Sequence, residues 1–231
     1  MPKHDSPESN AVLAAFGVAW NSSLRDYQER RLNSERCLQA SLYYFLRMHL
    51  SESYKIYIEA VVRYGEASGT KQRPKVQIDT LVCYKDEIIA AIELKYAPRG
   101  EPDVEKVKKD VLSLSRISNP KRLDERVSIE LPRYRDSEIT PLKLRISPYR
   151  KLIFASYCQV ETERLTNNKF WENYKPEIGY WCGALRNPPN IGIAIAYTRE
   201  KGAIESKYFG PAFRRQGTLG VVLPESAAGD A

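Results

Sequence analysis

The chain has 231 residues, 42% of them apolar and 28% charged, with a formal net charge of +7. That length supports one sizeable core, and no apolar run approaches the roughly 18 residues a membrane span requires. With only His4 and His49 in the chain, mechanisms that need several histidines are excluded, and any chemistry must run on carboxylates, lysine and a hard cation.

The four cysteines, Cys37, Cys83, Cys158 and Cys182, are widely spaced with no CxxC. This disfavours a compact zinc site, and reduced thiols fit a cytoplasmic protein. Residues 1–9 and 224–231 are polar or small and read as disordered tails around a single domain over 10–223. The core of that domain is expected over about 24–160, with a C-terminal elaboration over about 161–223.

The longest apolar run, Ala11 to Trp20, reads as a helix packed on the domain rather than a signal peptide. From Ser23 to Leu50 the pattern is helical, with Leu38, Leu42 and Phe45 at three- and four-residue steps. A break falls near Asn33-Ser34, where Ser34 can cap a second helix. Tyr54 to Tyr64 alternates and reads as a strand, and 65–75 is a basic loop carrying Lys71, Arg73 and Lys75.

Two apolar strands follow, Val76–Tyr84 and Ile88–Ala97, joined by Lys85-Asp86-Glu87. Asp103 then caps a helix whose stripe is Val104, Val107, Val111, Leu114 and Ile117. The stretch 118–151 holds nine Lys/Arg against five acids, a local +4. Leu152–Val160 and Ile191–Thr198 read as strands, with a helix expected over 161–174. The fold class is therefore α/β, a central mixed β-sheet flanked by helices in αβββαβ order with C-terminal additions.

If the hairpin turn centres on Asp86, facing residues sum to 172, which places Asp79 opposite Glu93. Strand alternation puts Asp79, Glu93 and Lys95 on one face, with Gln77 opposite Lys95. Leu81, Cys83, Ile89 and Ala91 complete that face, and Val76, Ile78, Val82, Ile88, Ala90, Ile92 and Leu94 form the other. Two facing carboxylates repel and are costly among apolar neighbours unless a cation joins them. Oxygen donors of this kind suit a hard metal.

A helical glutamate, an aspartate on one strand of a hairpin, Glu-x-Lys on the next strand and then a helix resemble the PD-(D/E)xK, or restriction-endonuclease-like, superfamily. The matching residues are Glu35, Asp79 and Glu93-Leu94-Lys95, and the resemblance covers about 24–117, with the strand at 152–160 as a last core element. The literal Pro-Asp is absent: Ile78 precedes Asp79, and Pro74 lies upstream.

The resemblance implies a phosphodiester hydrolase dependent on Mg²⁺ or Mn²⁺, acting on DNA in preference to RNA. Asp79, Glu93, the Leu94 carbonyl and Glu35 would bind the metal, and Lys95 would position the attacking water. Lys71, Arg73, Lys75, Gln77, Lys106, Lys109, Lys121 and Arg122 are candidates for contacting nucleic acid. For each of these cations the alternative is a solvated face. A homodimer, and a role in defence or mobile elements, follow only by analogy. The alternative is a non-catalytic nucleic-acid-binding or partner-binding protein on the same fold.

Overall fold

The computed structural model describes residues 6–64, 75–98, 103–118, 127–130, 142–158, 191–198 and 204–209. The expected helix over 161–174 and the tail 224–231 lie outside these residues. The first helix, α1 (Pro7–Gln28), starts within the segment read as an N-terminal tail. Ser6 caps it, accepting from the Ser9 amide at 3.1 Å, and Pro7 supplies the preset φ of a first helical residue. Val12, Phe16, Trp20 and Leu24 recur every four residues and are fully buried, so one continuous stripe ties the helix to the domain.

Arg30, with φ at 61°, ends this segment in the left-handed region. The second helix, α2 (Glu35–His49), begins behind Ser34, whose hydroxyl accepts from the Cys37 amide at 3.2 Å. Its stripe is Leu38, Leu42 and Leu46. His49 is exposed at its end rather than packed.

The strands are β1 (Tyr54–Arg63), β2 (Lys75–Tyr84), β3 (Glu87–Ala97), β4 (Val127–Glu130), β5 (Leu142–Cys158), β6 (Ile191–Thr198) and β7 (Ile204–Phe209); α3 (Val104–Ser118) lies between β3 and β4. They form one mixed sheet of order β3-β2-β1-β4-β5-β6-β7, with a further β3–β5 pairing. β3 and β5 run parallel, as do β5 and β6; the other pairs are antiparallel. A crossover through α3 thus carries the chain from β3 back to the parallel β5.

Helices α1 and α2 cover one face, sharing a core with Ile92, Leu94 and Tyr157. The other face receives α3 through Val107, Val111, Leu114 and Ile117, packed with Leu81, Ala91 and Phe154. Both sides of the hairpin are therefore core. This explains why Cys83 is buried, its thiol pushed up to about 12 by burial.

The hairpin register departs from the expected one near its turn. Tyr84 faces Glu87 across Lys85-Asp86, and a bulge then shifts the ladder, so that Val82 faces Ala90, Leu81 faces Ala91 and Thr80 faces Ile92. Those last pairs sum to 172 as the simple hairpin predicts, but through a two-residue turn plus one extra residue. The bulge exchanges Ile88 and Ile89: Ile88 packs on the α3 side and Ile89 under α1 and α2.

A second reversal lies deeper in the sheet. Glu59 has φ at 50°, and the β1–β2 ladder passes from Ile58–Thr80 to Ala60–Ile78 without a pair between. Ile56 and Val82 face α1 and α2, whereas Ala60, Val62, Ile78 and Val76 face α3. The left-handed residue rotates both strands, so Val76 and Ile78 join the face of Leu81 rather than that of Val82. Asp79 sits at this reversal, opposite Glu59.

Candidate active site

The same reversal shapes the site. The β2–β3 ladder ends at Thr80–Ile92, so the next outward amide of β3 has no β2 carbonyl to meet. The Asp79 carboxylate takes that place, and Leu94 N–H donates to its Oδ2 at 2.7 Å. Gln39 of α2, buried one turn beyond Glu35, donates from Nε2 to the Asp79 carbonyl at 2.7 Å. Asp79 is thereby held through both its backbone and its side chain.

Glu93 is only 4% exposed, and its carboxyl lies near enough to that of Asp79 for each to influence the other's ionisation. Burial, reinforced by the neighbouring charges of Asp79 and Asp110, pushes Glu93 well above the usual carboxylate range. Burial also raises Asp79, although the Leu94 amide opposes it. Two neighbouring carboxylates at a site with little water each disfavour ionisation of the other.

Lys95 extends from β3 beside this pair. Its Nζ lies 2.9 Å from Asp110 Oδ2 and 3.6 Å from Glu35 Oε2. Burial pulls the ammonium down, but Asp110, Glu35 and Asp79 more than restore it, and it stays charged. Asp110 is raised by burial, with Lys95 opposing. Glu35 also accepts from the Tyr96 amide at 3.1 Å, which fastens the start of α2 to the end of β3. The Tyr96 ring packs with Tyr27 and Tyr157 at centroid distances of 5.8 Å.

Glu35 reaches β3 because Ser34 starts α2 at that point. Ser34→Ala is expected to cost about 1 kcal/mol of stability and to loosen the Glu35–Tyr96 bond. Urea unfolding, together with amide exchange at Tyr96, checks this. Unchanged exchange there would show that Glu35 is placed by the helix alone.

The structure thus brings Glu35, Asp79, Glu93 and Lys95 into one region, where β2 parts from β3. It adds Asp110 and Gln39, which are absent from the sequence-based set. A signal for Asp110 was present: it lies three residues after Val107 and four before Leu114, inside the apolar stripe of α3. Gln39 follows Leu38 on α2 and carries no comparable mark.

The remaining candidates stand apart. Gln77 is exposed, pairs with Val61, and is not opposite Lys95, because β2 has left β3 by that point. Lys75, Lys106 and Lys109 are exposed. Lys71, Arg73, Lys121 and Arg122 lie outside the described residues.

Whether the site suits a divalent cation turns on its donors. Asp110, Glu35 and Asp79 act on one ammonium, and Asp79 and Asp110 act in turn on Glu93, so the charge is unbalanced and all the donors are hard oxygens. That chemistry fits Mg²⁺ or Mn²⁺. Among the described residues, no three His, Cys, Asp or Glu side chains are already gathered to hold an ion. Asp79 and Glu93 offer two, while Glu35 and Asp110 are turned toward Lys95.

Among the described residues, no helix is long and apolar enough to cross a membrane. Comparison with family models, with curated proteins and with solved structures gave no significant match, so the functional reading rests on these side chains.

Proposed function

We propose that the protein is a metal-dependent nuclease, hydrolysing phosphodiester bonds of nucleic acid, DNA in preference to RNA, at Asp79, Glu93 and Lys95. The observation that carries this reading is the buried Glu93 carboxyl beside the half-buried Asp79, with Lys95 and Glu35 close by. A purely structural site gains nothing from two neighbouring carboxylates in an apolar sheet, where each is expensive to ionise. The order of elements, and the α3 crossover between the parallel β3 and β5, support a restriction-endonuclease-like core.

Mg²⁺ or Mn²⁺, held by Asp79, Glu93, Glu35 and the Leu94 carbonyl, would neutralise the scissile phosphate and acidify water. The chain's own residues do the rest. The Leu94 amide and Gln39 keep Asp79 from turning away. Lys95 places a fixed positive charge where an attacking water and the developing phosphorane oxygens would lie. Glu35, anchored to the Tyr96 amide, orients water beside it. The net charge of +7 favours a polyanionic substrate, with Lys75, Lys106 and Lys109 exposed to meet it.

The test is cleavage of supercoiled plasmid, linear duplex, single-stranded DNA and RNA in Mg²⁺, Mn²⁺ or EDTA. Metal-dependent cutting, strongest on DNA and lost with Lys95→Ala, is expected. No cutting of any substrate, with a melting temperature unmoved by Mn²⁺, would replace this reading with a non-catalytic binding module. Gel filtration in the same buffers checks the accompanying expectation of a homodimer.

A further inference from the structure

We propose that Asp110 of α3 is the positioning residue for Lys95, holding its ammonium beside the Asp79–Glu93 pair and out of a permanent bond with either carboxylate. This deepens the nuclease reading above and rests on it.

A lysine side chain has four rotatable bonds and about 2 kcal/mol of rotamer entropy. Left free between three carboxylates, its ammonium would pair with whichever was ionised. Asp110 is the nearest of its ion-pair partners, at 2.9 Å against 3.6 Å for Glu35. Its helix is also firmly seated. Val107, Val111, Leu114 and Ile117 seat α3 on the sheet, all of them fully buried, and Asp110 lies between the first and third of these. The carboxylate is therefore fixed by the helix on one side, and Lys95 by β3 on the other.

The side chains of both partners are about 15% exposed. A pair buried to that degree is weak evidence for a role in stability, since desolvation commonly offsets the attraction and an apolar pair would pack as well. A stabilising role therefore does not account for the charge at Asp110, whereas holding the lysine does. The division of labour is chemical: Asp79 and Glu93 stay available to a cation, while Asp110 supplies the counter-charge to Lys95.

The experiment compares wild type, Asp110→Asn, Asp110→Glu, Lys95→Met and the Asp110→Asn/Lys95→Met double variant in Mn²⁺-dependent cleavage. Mn²⁺ binding is measured by calorimetry alongside, with Glu93→Gln as the reference for a lost ligand. Misplacing a reacting group by about 1 Å costs on the order of 100-fold, so Asp110→Asn should lower kcat by about that factor with KM nearly unchanged. Asp110→Glu should recover most of the loss, and Asp110→Asn should add nothing in the Lys95→Met background.

Wild-type kcat in Asp110→Asn would overturn the inference. So would a further loss in the Lys95→Met background, or an Mn²⁺ affinity that falls as far as in Glu93→Gln, which would make Asp110 a ligand. A readout independent of cleavage keeps the two proposals apart. In protein with ¹³C-methylated lysines, the Lys95 signal, assigned by its absence in Lys95→Met, should be displaced and broadened. It should move to the free-lysine position in Asp110→Asn. If wild type cuts nothing while that shift is seen, the nuclease reading fails and the clamp stands; a Lys95 signal at the free-lysine position in wild type removes the clamp whatever the activity.

Discussion

Glu93→Gln and Asp79→Asn are each expected to lower Mn²⁺-dependent cleavage by about a thousandfold while leaving the metal-free protein more stable than wild type. The loss corresponds to about 4 kcal/mol of transition-state stabilisation, because each substitution removes one of the two carboxylates free to hold a cation. The gain has a separate origin. Glu93 is pushed well above the carboxylate range by burial and then by Asp79 and Asp110, and each unit of such a shift costs about 1.4 kcal/mol once the group is ionised. Glutamine carries no charge to bury, and asparagine at position 79 removes the main neighbour that opposes Glu93.

Parallel plasmid cleavage and thermal unfolding in EDTA give both numbers from one preparation. Opposite signs for activity and stability mark a site strained for function. A Glu93→Gln protein that is less stable than wild type and still cuts would mean that the pair is structural.

The second expectation concerns pH. Folding raises the Glu93 pKa above its ordinary 4.5, and raises Asp79 above 3.8. The folded state therefore binds these protons more tightly than the unfolded state. By linkage, the stability they contribute is fully present below about pH 4. It is lost as pH rises through the unfolded values toward the raised folded ones. The metal-free protein should become less stable from mildly acidic toward neutral pH, relative to Glu93→Gln measured in the same buffers. Asp110 is raised in both proteins, so the difference isolates the pair.

Mn²⁺ binds the deprotonated carboxylates and should flatten or reverse that slope. Urea midpoints across pH 4 to 8, with EDTA or Mn²⁺, measure it. Parallel profiles for wild type and Glu93→Gln in EDTA would show that Glu93 is not shifted, and would undercut the argument for a cation.

Much of this architecture is legible in local pattern. The four-residue recurrence of Leu38, Leu42 and Leu46, and the apolar runs of β2, β3 and β6, each mark one element, because burial of a face imposes the period of the element itself. Ser34 and Asp103 mark helix starts through a side-chain oxygen meeting free amides, and both do so here. The strand β4, by contrast, is four residues inside a charged stretch, and only its pairing with β1 and β5 makes it a strand. β5 begins at Leu142, ten residues before the apolar run that announces it. Pro148, which has no amide to give, falls in the irregular stretch where the β3–β5 register shifts between Ile146 and Lys151.

The candidate site divides the same way. Asp79, Glu93 and Lys95 are within reach of sequence because a hairpin is local: turn length and alternation nearly determine which residues face each other. Even so, the bulge after the turn restores the expected sum only from Val82–Ala90 to Thr80–Ile92, and the ladder ends before it reaches Asp79 and Glu93. Gln77 was misplaced because nothing in the residues around Glu59 announces a left-handed backbone, and that one dihedral turns the end of β2 over. Asp110 and Gln39 come from helices far away in the chain, and their roles depend on how α2 and α3 dock. Residue types and spacing specify the elements and the chemistry available to them, since periodicity and charge are properties of a short segment. Which carboxylates come near one another, which one meets the lysine and where the strands reverse are decided by packing, because those contacts join segments that no local pattern relates.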